Sequence, residues 1–178
     1  MPGSRHLSQR ISEGDGIAII VRVDDAESAR AAQEQGAKAL AVDRLIAGIR
    51  QATSLPLLWL GKGTPHDADA VAIRPRTQGA HEIETVMDVR TEDELEAALE
   101  DHDPEIFLLS PHQGDDHKDA LESVLELLPD VPAGKLAIAD VDVMTRHEAL
   151  TLERAGFDAV LVRPGDVGEL VGHSLPDV

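Results

Sequence analysis

Residues 136–164 constrain the fold most, because they have the pattern of a strand, a helix and a second strand. A short apolar run stands at each end of this segment. Thr145 and Glu148 form a capping box, in which a hydroxyl and a carboxylate satisfy free amides at the start of a helix. Gly156 is the residue type that ends a helix in the left-handed conformation. Two strands joined by one helix form a βαβ unit, and such units build parallel sheets covered by helices.

Short apolar runs of this kind recur along the chain, and two kinds of link separate them. Eight runs are predicted as strands, at residues 17–23, 37–42, 56–60, 70–74, 83–89, 105–109, 135–141 and 158–162. Helices are predicted from Asp24 to Gly36, at 44–53 after a cap at Asp43, at 92–101 after a capping box of Thr91 and Glu94, at 118–128, after Thr145, and at 167–173. The link after the third run is short and rich in Gly, Pro and Asp, and the link after the fourth run is short and polar, so neither is predicted to hold a full helix.

A repeated motif indicates how these units assemble. AVAIRP at residues 70–75 and AVLVRP at residues 159–164 end the fourth and eighth predicted strands in nearly the same way. Two halves that end alike favour a duplicated half-barrel. Eight strands with helical links predict a compact α/β fold, a (β/α)8 TIM barrel over residues 17–178 with its third and fourth helices shortened or missing. An open doubly wound sheet is the alternative, although no GxGxxG motif follows the first run. Residues 1–16 are predicted to be a tail or a short helix that covers one end of the barrel.

The charge of the chain limits its partners. With 34 acidic against 16 basic residues the net charge is −18, which opposes binding to nucleic acid or to an anionic membrane. The first apolar run is too short to span a bilayer, the N-terminus has no apolar signal core, and the sequence has no cysteine. These features favour a cytoplasmic protein without disulfides. It is expected to be a monomer, or a small homo-oligomer that covers the flank lacking helices.

Three segments resemble a known family. Residues 82–100, 103–112 and 138–167 are similar to the second half of indole-3-glycerol phosphate synthase, a phosphate-binding (β/α)8 barrel. The most specific part is the block at residues 145–162. The resemblance implies the barrel fold and a phosphorylated small molecule, or phosphate itself, as the partner.

The same resemblance gives expectations for the acidic site residues. The family has a Glu late in strand five, which Asp88 matches, and a second Glu in strand seven, where this chain has Asp140. The paired Asn at the end of strand six become Ser110 and Pro111.

The basic residues of the family are replaced more widely. Its catalytic Lys at the end of strand three falls on Leu60, and its Lys in strand one falls on Arg22. The phosphate-binding pair after strand eight becomes Arg163 and Pro164. The resemblance therefore implies the fold. The replaced residues imply that the synthase activity itself is absent.

Alternation of side chains along the strands predicts which of these residues share one end of the barrel. If Asp88 points into the barrel, the same parity predicts an inward direction for Glu84, Val86, Ile20, Arg22, Ala72, Arg74, Ile138, Asp140, Leu161 and Arg163. The C-terminal mouth is then expected to hold Arg22, Arg74, Arg163, Asp88, Asp140 and Asp142, with Ser110 and His112 at its rim. Of these, Arg22, Asp88, Asp140 and Arg163 are expected to lie within hydrogen-bonding reach of one another.

Three interpretations of this mouth remain open. Paired Arg and Asp side chains could close it as a structural plug. Alternatively, Arg22, Arg74 and Arg163 could bind an anion together with the amides of Gly165 and Gly168 at the start of the last helix. As a third possibility, Asp88 and Asp140 could act as catalytic acid and base.

A metal site is considered and not predicted. The run HQGDDH at residues 112–117 has His and Asp at loosely metal-like spacing. Asp115 and Asp116 more simply favour the start of the following helix through its dipole. No cofactor is predicted either.

Overall fold

The computed structural model of the chain describes residues 6–13, 16–61, 68–75, 83–111, 116–142 and 145–163. Eight parallel strands form a closed barrel, in which each strand pairs with the next along the chain and the last pairs with the first. The strands are β1 (Ala18–Arg22), β2 (Ala39–Val42), β3 (Leu57–Trp59), β4 (Ala70–Ile73), β5 (Glu84–Val89), β6 (Ile106–Leu109), β7 (Leu136–Asp140) and β8 (Ala159–Val162). The predicted compact TIM barrel is therefore confirmed, and the open sheet is excluded because it would leave β1 and β8 unpaired.

Helices surround this barrel unevenly. The described residues contain α1 (His6–Ser12), α2 (Ala26–Glu34), α3 (Ile49–Ala52), α4 (Glu92–Asp101), α5 (His117–Leu127) and α6 (Arg146–Ala155), and a 3-10 turn at Leu128–Asp130. Residues 60–69 join β3 to β4 and residues 74–83 join β4 to β5, and the described parts of both links contain no helix. This agrees with the predicted shortening of the third and fourth helices. None of the helices described is long and apolar enough to cross a membrane.

The helix starts are partly as predicted. Thr91 accepts a hydrogen bond from the Glu94 amide, and Thr145 accepts one from the Glu148 amide, so both capping positions are confirmed. Gly156 ends α6 with a φ of 119°, as a left-handed cap requires. The predicted helix at residues 167–173 lies outside the described residues.

Two predicted helix starts are wrong. The cap of α2 is Asp25 rather than Asp24, because the Asp25 carboxylate accepts from the Ser28 amide at 2.6 Å. Asp43 does not start a helix over residues 44–53, and α3 is only a single turn after Gly48. Gly48 has a φ of 78°, a left-handed conformation that interrupts any helix before it.

Two apolar layers follow from the alternation of side chains. The inner layer fills the barrel and contains Ala18, Ile20, Ala39, Ala41, Leu58, Ala70, Val86, Ile106, Leu108, Ile138, Ala159 and Leu161. The outer layer lies between the strands and the helices and includes Ile19, Val21, Leu40, Met87, Phe107, Leu109, Val160 and Leu152. Ile20, Val86, Ile138 and Leu161 are inside the barrel, as the predicted parity requires.

Helix α1 closes the N-terminal end of the barrel. Leu7 and Ile11 are buried and belong to the inner layer. The carboxylate of Glu84, the first residue of β5, accepts hydrogen bonds from the Ser8 amide at 3.0 Å and from the Ser8 hydroxyl. A carboxylate on the free amides at a helix start is favourable, so this contact fixes α1 across the opening.

This arrangement predicts that α1 contributes directly to the stability of the barrel. The Leu7→Ala variant should lower the free energy of unfolding by about 2–5 kcal/mol, because the side chain is fully buried and its removal leaves a cavity. Urea denaturation measures the change. The matched control is Gln9→Ala on the exposed side of the same helix, which should change the free energy by no more than about 0.5 kcal/mol. Equal small effects of both variants would show that α1 does not close the barrel in solution.

Candidate functional site

A buried serine links two carboxylates at the C-terminal end of the barrel. Asp88 lies near the end of β5, Asp140 ends β7, and Ser110 follows β6 between them. The Ser110 hydroxyl oxygen lies 2.8 Å from Asp88 Oδ1 and 3.2 Å from Asp140 Oδ2. Ser110 is only 3% exposed, so little water competes for these contacts. Three of the residues that were expected at this mouth are therefore brought together by three neighbouring strands.

The two contacts of the Ser110 hydroxyl depend on the protonation of Asp88 and Asp140. A serine hydroxyl has a single hydrogen and can donate it to only one carboxylate at a time. If both carboxylates are ionised, one of the two contacts places an unprotonated carboxylate oxygen against the hydroxyl oxygen. If one carboxyl is protonated, both contacts become hydrogen bonds. With one proton on the two carboxyl groups, the Ser110 oxygen therefore makes a hydrogen bond to each of them.

The surroundings favour Asp140 as the protonated partner. Burial raises the pKa of Asp140 above its ordinary value of 3.8, and repulsion from Asp88 and Asp142 raises it further. The Arg22 charge and the Ser110 hydrogen bond lower the pKa of Asp140 but do not reverse the net rise.

The arginines lie around these acids without closing over them. Arg22 Nη2 is 3.9 Å from Asp140 Oδ1, and Arg74 Nη1 is 3.6 Å from Asp88 Oδ2. Both arginine side chains are 42% exposed. These separations are too long for the bidentate hydrogen bonds that a tight ionic plug requires.

Glu94 and Arg90 also contribute to the mouth, and neither was among the predicted site residues. Arg74 Nη2 donates to both carboxylate oxygens of Glu94, at 2.8 and 2.6 Å. Arg90 Nη2 lies 4.0 Å from Asp88 Oδ2, and its Nε is buried without a hydrogen-bond partner. Strand parity could have identified Arg90, which is two residues beyond Asp88. Glu94 had been assigned only to helix capping, and its contact across to β4 has no local sequence signal.

The expectation that Arg163 lies within hydrogen-bonding reach of Arg22, Asp88 and Asp140 is wrong, and among the predicted mouth residues it contacts Asp142. Its Nε pairs with Asp142 Oδ2 at 3.1 Å, and its side chain is 76% exposed. The residue lies just beyond Val162, the last residue of β8, so the strand ladder no longer directs its side chain inward. The expectation also fails in part for Arg22, which reaches Asp140 at ion-pair rather than hydrogen-bond distance.

His112, Gly165 and Gly168 lie outside the described residues. Within the ranges that the structure does describe, no cluster of three or more His, Asp and Glu side chains has an arrangement able to hold a metal ion.

The raised pKa of Asp140 predicts the pH dependence of an isosteric variant. Because the folded-state pKa lies above that of the unfolded chain, protonation of Asp140 stabilises the fold below pH 3.8, and this stabilisation is lost as pH rises through the folded-state pKa. Asp140→Asn, which cannot ionise, should therefore unfold at higher urea concentration than the wild type at neutral pH. The difference should disappear as the pH falls towards 3.8. Destabilisation at neutral pH would instead identify Asp140 as an ionised anchor of a plug.

Comparisons with known proteins place the chain among TIM barrels. No family model matches it. It is 29% identical over 80 residues to an indole-3-glycerol phosphate synthase of Geobacillus sp. (strain WCH70), a match that covers 45% of this chain and only 31% of that protein. This confirms the resemblance seen in the sequence, although the chain spans about a third of the relative's length.

A solved structure shows the same fold over most of the chain. The N-acetylmannosamine-6-phosphate 2-epimerase from Clostridium perfringens superimposes with a TM-score of 0.63 and covers 85% of this chain and 88% of its own. At 16% sequence identity this likeness shows the fold alone. The chain is therefore a compact TIM barrel with a weak sequence relation to indole-3-glycerol phosphate synthase.

Proposed function

We propose that the C-terminal mouth binds a small phosphorylated metabolite and exchanges a proton with it. The observation that carries this proposal is the pair of carboxyl groups joined by the buried Ser110 hydroxyl. Active sites of TIM barrels lie at this end of the strands. The names of both similar proteins contain a phosphorylated compound, glycerol phosphate in one and a sugar 6-phosphate in the other.

Arg22 is the residue that the proposal assigns to the phosphate group. Its side chain is partly exposed, and it makes no hydrogen bond to any residue within the described ranges. Its guanidinium donors are therefore available for the bidentate binding that phosphate favours. Arg74 is less available, because Glu94 already binds its Nη2.

Asp140 and Asp88 are the proposed acid and base. Asp140 carries the shared proton and donates it to the substrate, while Asp88 accepts one from the substrate. The Ser110 hydroxyl then gives its hydrogen to Asp140 as it receives the hydrogen from Asp88. This transfer restores the starting state, and no proton is gained or lost. This proton transfer requires one hydroxyl within hydrogen-bond distance of both carboxyl groups, and Ser110 has that position.

The reaction of the synthase itself does not fit this mouth. Leu60, at the position where the resemblance places the catalytic Lys, follows β3 and packs against the inner apolar layer. A leucine has no proton to donate. The similarity to the synthase also covers only 31% of that protein. We therefore propose a different chemistry at a phosphate-binding barrel end.

A structural plug remains a second candidate, because one pair at the mouth has the required geometry. Arg74 Nη2 contacts both oxygens of Glu94 and so ties the end of β4 to α4, next to a link whose described residues contain no helix. In this case the arginines stabilise the barrel end and bind no ligand. In the first candidate Arg22 binds the phosphate of a ligand, and in the second it stabilises the barrel end.

Phosphate binding by Arg22 is tested by a substitution at that residue. The wild type should bind glycerol phosphate in calorimetric titrations, and Arg22→Gln should bind it at least about tenfold more weakly, since charge-assisted hydrogen bonds are lost. Arg30→Gln, on the exposed surface of α2, is the matched control and should bind like the wild type. Glycerol tests whether the phosphate group is needed. If the wild type shows no heat at millimolar glycerol phosphate and Arg22→Gln is less stable, the plug interpretation replaces this one.

The second prediction concerns the shared proton. In pH titrations followed by 13C NMR of the Asp carboxyl carbons, Asp140 should titrate above its ordinary pKa of 3.8, and the Asp88 signal should respond to the same event through Ser110. Ser110→Ala should remove this mutual response. Asp158, whose pKa is raised by burial elsewhere in the barrel, is the internal control and should titrate unchanged in the variant. Independent titration of Asp88 and Asp140 in the wild type would contradict the shared proton, even if glycerol phosphate binds.

A further inference from the structure

A cavity of about 520 Å³ at the N-terminal face of the barrel has an unusual charge. It lies between α1, the C-terminal end of α2 and α3. Three basic residues line it, Arg10, Lys38 and Arg50, and Asp69 is the only acidic residue among its described lining residues. The chain as a whole has 34 acidic and 16 basic residues, so the balance in this cavity is reversed.

The hydrogen bonds of the cavity leave two of these cations without an anionic partner. Arg50 Nη2 pairs with Asp69 Oδ2 at 3.0 Å, and the same oxygen accepts from the Leu57 amide. Arg10 and Lys38 form no ion pair with any residue in the described ranges. In addition, Arg10 Nε is buried and has no hydrogen-bond partner. Because that nitrogen is inaccessible to solvent, an anion in the cavity meets the charges of Arg10 and Lys38 rather than this donor.

A polar network next to these cations provides a further oriented donor. Gln33 Oε1 accepts from the Thr53 hydroxyl and the Ser54 amide, which fixes the amide side chain. Gln33 Nε2 then donates to Ser54 Oγ at 3.0 Å. Because the Ser54 oxygen is used as an acceptor, its own hydrogen is available to a ligand. The cavity therefore offers a hydroxyl donor beside unpaired cations.

We propose that this cavity binds a small multivalent anion of the phosphate class, held by Arg10, Lys38 and the Ser54 hydroxyl. Lys38 precedes β2 and Asp69 precedes β4, so the site lies at the opposite end of the barrel from Asp88 and Asp140. It is independent of the proposed function and is too distant to share a substrate with the mouth. An anion bound only by the folded chain stabilises it, so this site makes the stability of the barrel depend on phosphate.

The competing explanation is electrostatic and local. Helix C-termini carry partial negative charge, and α2 ends beside the cavity, so the cations could serve only to offset its dipole. In that case Lys38 and Arg10 are solvated and select no ligand.

Phosphate titration of 15N-labelled protein separates the two explanations. Inorganic phosphate should shift the amide signals of Ala37, Lys38 and Ser54, and glycerol phosphate, the second probe, should show whether a phosphomonoester enters as well. Lys38→Gln should weaken this binding about tenfold or more, with the fold retained. Arg30→Gln, an exposed charge change of equal size on α2, should leave it unchanged.

Arg22→Gln, at the opposite end of the barrel, tests whether the amide shifts arise from phosphate in the N-terminal cavity. Arg22→Gln should leave the shifts at Ala37, Lys38 and Ser54 intact, whatever it does to binding at the other end. The proposal is overturned if phosphate shifts no amide around the cavity, or if Lys38→Gln and Arg30→Gln bind phosphate equally. Arg10→Gln, measured in the same way, guards against an effect peculiar to Lys38.

Discussion

Pairing of β8 with β1 is the constraint on which the rest of this structure depends. Val162 pairs with Val21 and Leu161 with Ile20, which leaves no strand edge open. Once the sheet is closed, inward side chains must fill a fixed space, and an eight-stranded barrel has room for side chains only. The volume inside the barrel is filled by alanines on β1, β2, β4 and β8 that pack beside larger residues on β5, β6 and β7.

A closed barrel also has two open ends, and different kinds of side chain occupy them. At the N-terminal end α1 inserts Leu7 and Ile11, and the Glu84 carboxylate holds the start of that helix. At the C-terminal end the inner layer gives way to charged groups around the Ser110 hydroxyl. The apolar cap closes the N-terminal opening, and the cavity proposed to bind an anion lies beside this cap. At the other end, partly exposed charges stand at the strand ends, where TIM barrels meet their ligands.

Basic residues lie at both of these ends in a chain with a net charge of −18. Arg22, Arg74 and Arg90 surround the mouth, and Arg10, Lys38 and Arg50 line the opposite cavity. These six are a large share of the 16 basic residues. An acidic surface elsewhere repels anions, so these basic side chains support the two anion sites that we propose.

The sequence by itself determined the eight strands, the parity of their side chains and the ends of α4 and α6, because periodicity and capping depend on neighbouring residues. It also brought Asp88, Ser110 and Asp140 to one end, since parallel strands end at one edge. Only the tertiary structure decided that Ser110 bridges both acids, that Glu94 binds Arg74 and that Arg163 turns to Asp142. These contacts join residues far apart in the chain, and their distances depend on barrel closure and on where each strand ends, which local patterns do not encode.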